Sequence, residues 1–192
     1  MFRRSASAVF GLALAMTTQV PAAKAAERSL TYNVPAPSGS VQRVSDITNA
    51  QRVPMPDLVI SDGSNLPVHI SRYRGLVVVL NFYSVNCGPC IKDLLYLNRL
   101  QGNMKGFPVA VVVVNEDGLP AKAVKDFLAK QSYGFLKPFG DPNSAAAQTL
   151  GLQGMPSTVI IDKAGRLAGA VSGNVVWDSP DVQNAIAKLT RE

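Results

Sequence analysis

The chain has two cysteines, and they stand in one motif, Cys87-Gly88-Pro89-Cys90, a spacing that can close and reopen a disulfide. The apolar run Leu76-Val77-Val78-Val79-Leu80-Asn81-Phe82 directly precedes the pair, and the amphipathic segment from Ile91 to Leu100 directly follows it. The motif therefore falls where a buried strand hands over to a helix. With Cys87 as N-cap and Pro89 in the first helical turn, where its missing N–H costs nothing, the Cys87 sulfur faces unpaired backbone N–H groups at the positive helix end. A thiolate is favoured there. Lowering a thiol pKa from about 8.5 to about 7 raises the thiolate fraction at pH 7 from roughly 3% to roughly 50%, while intrinsic nucleophilicity falls about fivefold, a net gain of about threefold. The two-residue spacer keeps Cys90 within reach of any mixed disulfide formed at Cys87.

Blander uses of the two sulfurs fit less well. A structural zinc site needs four ligands, and the chain offers two cysteines and the single histidine His69. An inert staple would close a four-residue ring, which removes too little unfolded-state entropy to be useful. His69 has no partner at ligand spacing and reads as a surface or packing residue.

Residues 1–25 read as an export signal. Arg3 and Arg4 form a basic start, Ala6 to Met16 is an apolar run of about eleven residues, and Ala23-Lys24-Ala25 offers small residues where a signal peptidase reads. The run is short for a membrane span, which needs about 20 apolar residues. Cleavage after Ala25 is expected, with an uncleaved N-terminal anchor as the alternative. Three of the 19 basic residues lie in this segment, leaving 16 basic against 13 acidic residues. They are scattered, with no run and no interleaved aromatics, so the charge argues for neither nucleic acid nor a membrane surface as partner. The remaining length of about 167 residues suffices for one domain with a full core, expected as a monomer.

Residues 26–53 are polar and proline-bearing, and read as a linker or loosely attached arm. From residue 54 the pattern becomes that of a domain. Leu58-Val59-Ile60 and Leu66 to Ile70 flank a polar turn as a hairpin. Gly102 is expected to end the CxxC helix. Val109 to Val114 is a second buried strand. Pro120 opens a helix with Val124, Phe127 and Leu128 on its buried face, closed by Gly134, and Asn143 is placed to cap a short alanine-rich turn. Thr158 to Ile161 and Leu167 to Val171 form a hairpin around Asp162-Lys163-Ala164-Gly165, and Ser179-Pro180 starts a last helix with Val182, Ile186 and Leu189 inside. The order β-β-β-α-β-α-β-β-α is that of an α/β layered domain.

With these elements placed, residues 54–190 resemble the thioredoxin-like superfamily, and within it the TlpA/ResA-like exported thiol-disulfide oxidoreductases. The resemblance lies in Tyr73-Arg74-Gly75 before the first buried strand, in the CxxC, in Gly154-Met155-Pro156-Ser157 leading into Val159-Ile160-Ile161-Asp162, and in Gly165. It implies a thioredoxin-like fold: a central mixed β-sheet flanked by helices, with an N-terminal β-hairpin and an inserted strand-helix unit in the 66 residues from Cys90 to Pro156. It implies Cys87 as nucleophile and Cys90 as resolving thiol, with no cofactor beyond their disulfide. It also implies a cis Met155-Pro156 bond beside the cysteines, with Met155, Pro156, Gly88 and Pro89 meeting an extended client segment.

Some positions depart from the pattern. Where thioredoxins carry a buried acid six residues before the first cysteine, this chain has Asn81, which cannot titrate. Asp93, three residues after Cys90 and at a position usually Glu in ResA-like proteins, is the candidate proton acceptor. Read as a first-turn carboxylate, it is also simply favoured by the helix dipole. Asn86 replaces the tryptophan common before the first cysteine. The expected function is a periplasmic, or inner-membrane-anchored, oxidoreductase that exchanges disulfides with client proteins. The resemblance suggests a reductant of the cytochrome c or metalloprotein maturation type, fed by a membrane-embedded electron donor. Alternatives are a copper- or partner-binding module using the two thiols, and a thiol peroxidase, for which Ser84 stands three residues before Cys87 but Leu80 replaces the expected proline.

Overall fold

The computed structural model describes residues 52–192, so the expected export signal and all but the last two residues of the expected arm lie outside the described residues. The described strands are β1 (Val59–Ser61), β2 (Pro67–His69), β3 (Val77–Tyr83), β4 (Val109–Asn115), β5 (Pro138–Gly140), β6 (Ser157–Ile161) and β7 (Leu167–Ser172). The helices are α1 (Gly88–Asn103), α2 (Ala121–Lys130), α3 (Ala145–Thr149) and α4 (Pro180–Leu189). The strands form one mixed sheet in the order β2-β1-β5-β4-β3-β6-β7, with β3, β4 and β5 parallel and the others antiparallel to their neighbours.

β3 occupies the middle, and every one of its seven residues is buried. Its apolar run has no alternation because both faces are covered. Val77 and Val79 face the side packed by Leu94, Leu97 and Leu100 of α1, Trp177, and Ile186 of α4. Val78, Leu80 and Phe82 face Leu58 and Ile60 of the N-terminal hairpin and Ala146 and Leu150 of the α3 region. Each such buried aliphatic side chain contributes about 1.5–3 kcal/mol, so the strand that leads toward the CxxC is firmly held on both faces.

Both expected hairpins form, and Ser179 caps α4 through its Oγ, which accepts the Val182 N–H at 3.4 Å. The helix ends differ from expectation. Gly102 lies inside α1, which runs on to Asn103; a Cβ there would come within 2.9 Å of the Phe135 ring, so the glycine serves a close approach, and the left-handed turn falls at Gly106. α2 ends before Gly134: Ser132 takes the left-handed conformation, and the N–H groups of Ser132 and Tyr133 return to the carbonyls of Ala129 and Leu128, the double bond pattern of a Schellman stop. Asn143 does not cap α3. The buried carboxylate of Asp141 does, accepting the N–H groups of Ala146 and Ala147 at 3.0 and 2.8 Å. β5, absent from the sequence reading, is only Pro-Phe-Gly, too short for a period and built from residues that read as breakers. With α2 it forms the strand and helix inserted before α3.

Candidate active site

Cys87 is the N-cap of α1, and its sulfur accepts the Cys90 N–H at 3.2 Å, with Pro89 inside the first turn. The extended backbone at Cys87 lets its side chain fold back over the open helix end. The two sulfurs are joined as a disulfide. They are unequal in access: Cys87 is half-buried, whereas Cys90 is completely enclosed. Gly88 and Pro89 are exposed, and a Cβ on Gly88 would meet no atom within 4 Å, so this side of the motif is open.

The loop before β6 closes the other side. The Met155-Pro156 bond is cis, Pro156 is buried, Met155 is exposed, and the Met155 carbonyl oxygen lies 3.8 Å from Cys87 Sγ. The Met155 carbonyl thus stands beside Cys87, whose neighbours Gly88 and Pro89 are exposed.

Asp93 lies beneath them. It is in the second turn of α1, so the first-turn dipole argument does not apply, and it is completely enclosed. Its Oδ1 accepts the Val175 N–H at 3.0 Å and the Trp177 indole N–H at 2.9 Å; its Oδ2 accepts Asn81 Nδ2 at 3.0 Å. Asn81 also donates to Thr158 Oγ1 at 2.9 Å. Burial pushes the Asp93 carboxyl up to about 7, although all of these donors favour the charged form. A group that titrates there can take or give a proton at neutral pH.

A second acid, Asp117, shapes the approach to Cys87. Ser84 Oγ donates to Asp117 Oδ1 at 2.6 Å, and Asp117 Oδ2 accepts the Val85 N–H at 2.8 Å and Asn115 Nδ2 at 2.6 Å. The Ser84 hydroxyl, the residue weighed for peroxide chemistry, is thus committed to this turn, where it also accepts the Asn86 N–H at 3.1 Å. Among the described residues, no three His, Cys, Asp or Glu side chains come together as a metal site.

The Redoxin family pattern matches residues 50–187. The chain belongs to the Redoxin family. It is a ResA-like thiol-disulfide oxidoreductase of the thioredoxin-like superfamily. It is 30% identical over 121 residues to the thiol-disulfide oxidoreductase ResA of Geobacillus thermodenitrificans, covering 62% of this chain and 68% of that protein. Against the ResA of Bacillus thuringiensis it is 27% identical over 118 residues, covering 62% and 67%. A solved structure of a thiol:disulfide interchange protein, DsbE, from Chlorobium tepidum superposes with a TM-score of 0.63 at 27% identity, covering 73% of this chain and 98% of that one.

In this Redoxin-family site, sequence reasoning missed Thr158, Asn174, Val175, Trp177 and Asp117. Trp177 carried the best signal, as the one tryptophan of the chain, whose N–H needs a partner when buried. Nothing in the sequence pairs it with an acid 84 positions earlier.

Proposed function

We propose that this protein is an exported reductant of client disulfides, acting through Cys87 as nucleophile and Cys90 as resolving thiol. The observation that carries the assignment is the difference in access: an outside sulfur can reach Cys87 and not Cys90. In the reduced protein the Cys87 thiolate, accepting the Cys90 N–H, attacks one client sulfur. A Cys87–client disulfide forms, the client S–S bond breaks, and the released thiolate takes a proton. Cys90 then gives up its proton, attacks Cys87 Sγ and expels the second client thiolate. Two electrons pass to the client, and the Cys87–Cys90 disulfide is the product. Asp93 accepts the Cys90 proton, a role supported by its titration near neutrality one helical turn away. Exposed Gly88, Pro89 and the Met155 backbone beside Pro156 form the surface an extended client segment lies against.

The Gly-Pro spacer supports the reductive direction, and reducing work in an oxidising compartment needs a membrane-embedded donor to return the electrons, with clients of the cytochrome c or metalloprotein maturation type. Residues 1–25 are the export signal or anchor and residues 54–192 the monomeric periplasmic domain. The test is Cys90→Ser expressed in the exporting cell: it accumulates client proteins as mixed disulfides at Cys87, and Cys87→Ser accumulates none. Failure of Cys90→Ser to trap any protein overturns the assignment. A reduction potential near the −120 mV or so of a strong oxidant overturns the direction.

A further inference from the structure

The hydrogen bonds around Asp93 decide where an added proton can sit. Its Oδ1 is taken by the Val175 N–H and the Trp177 indole N–H, two groups that donate and do not accept. A proton on that oxygen would meet both head-on, so Oδ2 must carry it. Oδ2 faces Asn81 Nδ2, which lies 3.0 Å from it and 2.9 Å from Thr158 Oγ1. That arrangement suits a carboxylate and not a carboxylic acid, because the O–H of the acid would point at another donor. The other end of the same amide, Asn81 Oδ1, is buried and has no hydrogen-bond partner among the described residues. The side chain that touches the oxygen to be protonated thus holds a spare acceptor.

We infer that Asn81 is a positioning residue whose amide turns over with the proton on Asp93, donating to Oδ2 of the carboxylate and presenting its own oxygen to Oδ2 once that atom is protonated. The inference rests on Asp93 taking the Cys90 proton, as proposed above. A half-turn about the last side-chain torsion of an asparagine exchanges its oxygen and nitrogen in place, which brings Oδ1 within bonding distance of both Asp93 Oδ2 and Thr158 Oγ1. Thr158 is a hydroxyl, able to accept in the first arrangement and to donate in the second. Each arrangement leaves one end of the amide unpaired, Oδ1 before the turn and Nδ2 after it, so neither is locked in. Asn174, between Val175 and Gly173, sends its Nδ2 to the Pro89 carbonyl instead. The groups facing Asp93 are Asn81 from β3, Val175 and Trp177 from the segment after β7, and Cys90 one turn earlier on α1. Of these Cys90 alone titrates, and only when reduced.

The test uses the oxidised full chain, in which Cys90 has no proton to give. The Asp93 carboxyl carbon shift is expected to titrate with a midpoint near 7. Proton–proton contacts from the Asn81 side-chain amide to the Thr158 side chain, present at pH 9, are lost at pH 5. In Thr158→Val the ionised arrangement leaves a buried N–H without an acceptor, whereas the protonated one still has a donor on Asn81 Oδ1. The Asp93 midpoint therefore rises by about half a unit to one unit. Thr158→Ser keeps the hydroxyl and the parent midpoint. An amide that never turned would leave the same N–H unpaired in both proton states of Thr158→Val, and the midpoint would stay where it was. That result, or Asn81 contacts that persist while Asp93 titrates, overturns the turn-over and leaves Asp93 as the proton acceptor. An Asp93 carbon that does not titrate between pH 4 and pH 10 overturns both. Trapping by Cys90→Ser is read independently of the amide, so the assignment of the cysteines stands or falls by itself.

Discussion

Two carboxylates flank the CxxC, and they have opposite electrostatic fates. Asp93 sits below the motif and Asp117 beside the turn that enters it, and each accepts several hydrogen bonds from neutral donors. Burial raises both, and the donors lower both. At Asp117, which keeps some contact with solvent, the bonds from Ser84, Val85 and Asn115 outweigh burial and the carboxyl ends below its ordinary range. At Asp93 complete enclosure wins, and the carboxyl ends at about 7. Hydrogen bonds alone do not set a carboxylate's character; the water left to it decides the sign. One acid becomes a fixed anchor for the turn, the other a group able to exchange a proton at neutral pH.

The largest effect that tests this contrast is on stability. Asp93→Leu strands the Val175 and Trp177 donors where water cannot replace their acceptor, at about 1–3 kcal/mol each. Relief of the buried carboxyl offsets part of this, and urea unfolding of the oxidised protein should show a loss of about 3 kcal/mol. Asp117→Leu, on a turn that water can reach, should cost about half as much. The reverse ranking would break the comparison.

The pH dependence comes next. Between about 4 and about 7 the folded protein holds a proton on Asp93 that the unfolded chain has released, so Asp93 makes stability fall as pH rises across that window, by up to about 1.4 kcal/mol per unit. Asp117 acts with the opposite sign: its stabilisation is complete above the unfolded carboxyl pKa and is lost as pH falls through its lowered folded value. Unfolding free energies measured from pH 3 to pH 8 should show the falling limb near neutrality vanish in Asp93→Asn and persist in Asp117→Asn. A limb that survives Asp93→Asn belongs to another group, and Glu116, also pushed up to about 7 by burial and then by Asp141, is the first to examine.

The smallest effect sharpens the role of the anchor. Ser84→Ala removes one of the donors to Asp117 and should cost about 1 kcal/mol, with the Asp117 carboxyl titrating at higher pH in a carbon-detected NMR titration. An unchanged titration would mean that Val85 and Asn115 hold the carboxylate unaided.

Much of this contrast could not be read from residue order. The passage from β3 through Cys87 into α1, the two hairpins and α4 were legible because each is signalled within a few residues, by an apolar run, a capping side chain or a turn. β5 was not, because three residues pairing with Val113 to Asn115 take their conformation from the neighbouring strand. The stops of α1 and α2 were misplaced because glycine was read as a terminator, whereas Gly102 makes room for Phe135 and Ser132 takes the left-handed turn.

By itself the sequence determined which atoms can react and that they stand at a helix entrance, since strand, cap, Pro89 and helix are contiguous and their interactions are short in range. Only the tertiary structure decided which sulfur faces outward and which acid loses its water. Those properties are set by enclosure, and the walls around Asp93 come from Asn81, Val175 and Trp177, 12, 82 and 84 positions away along the chain.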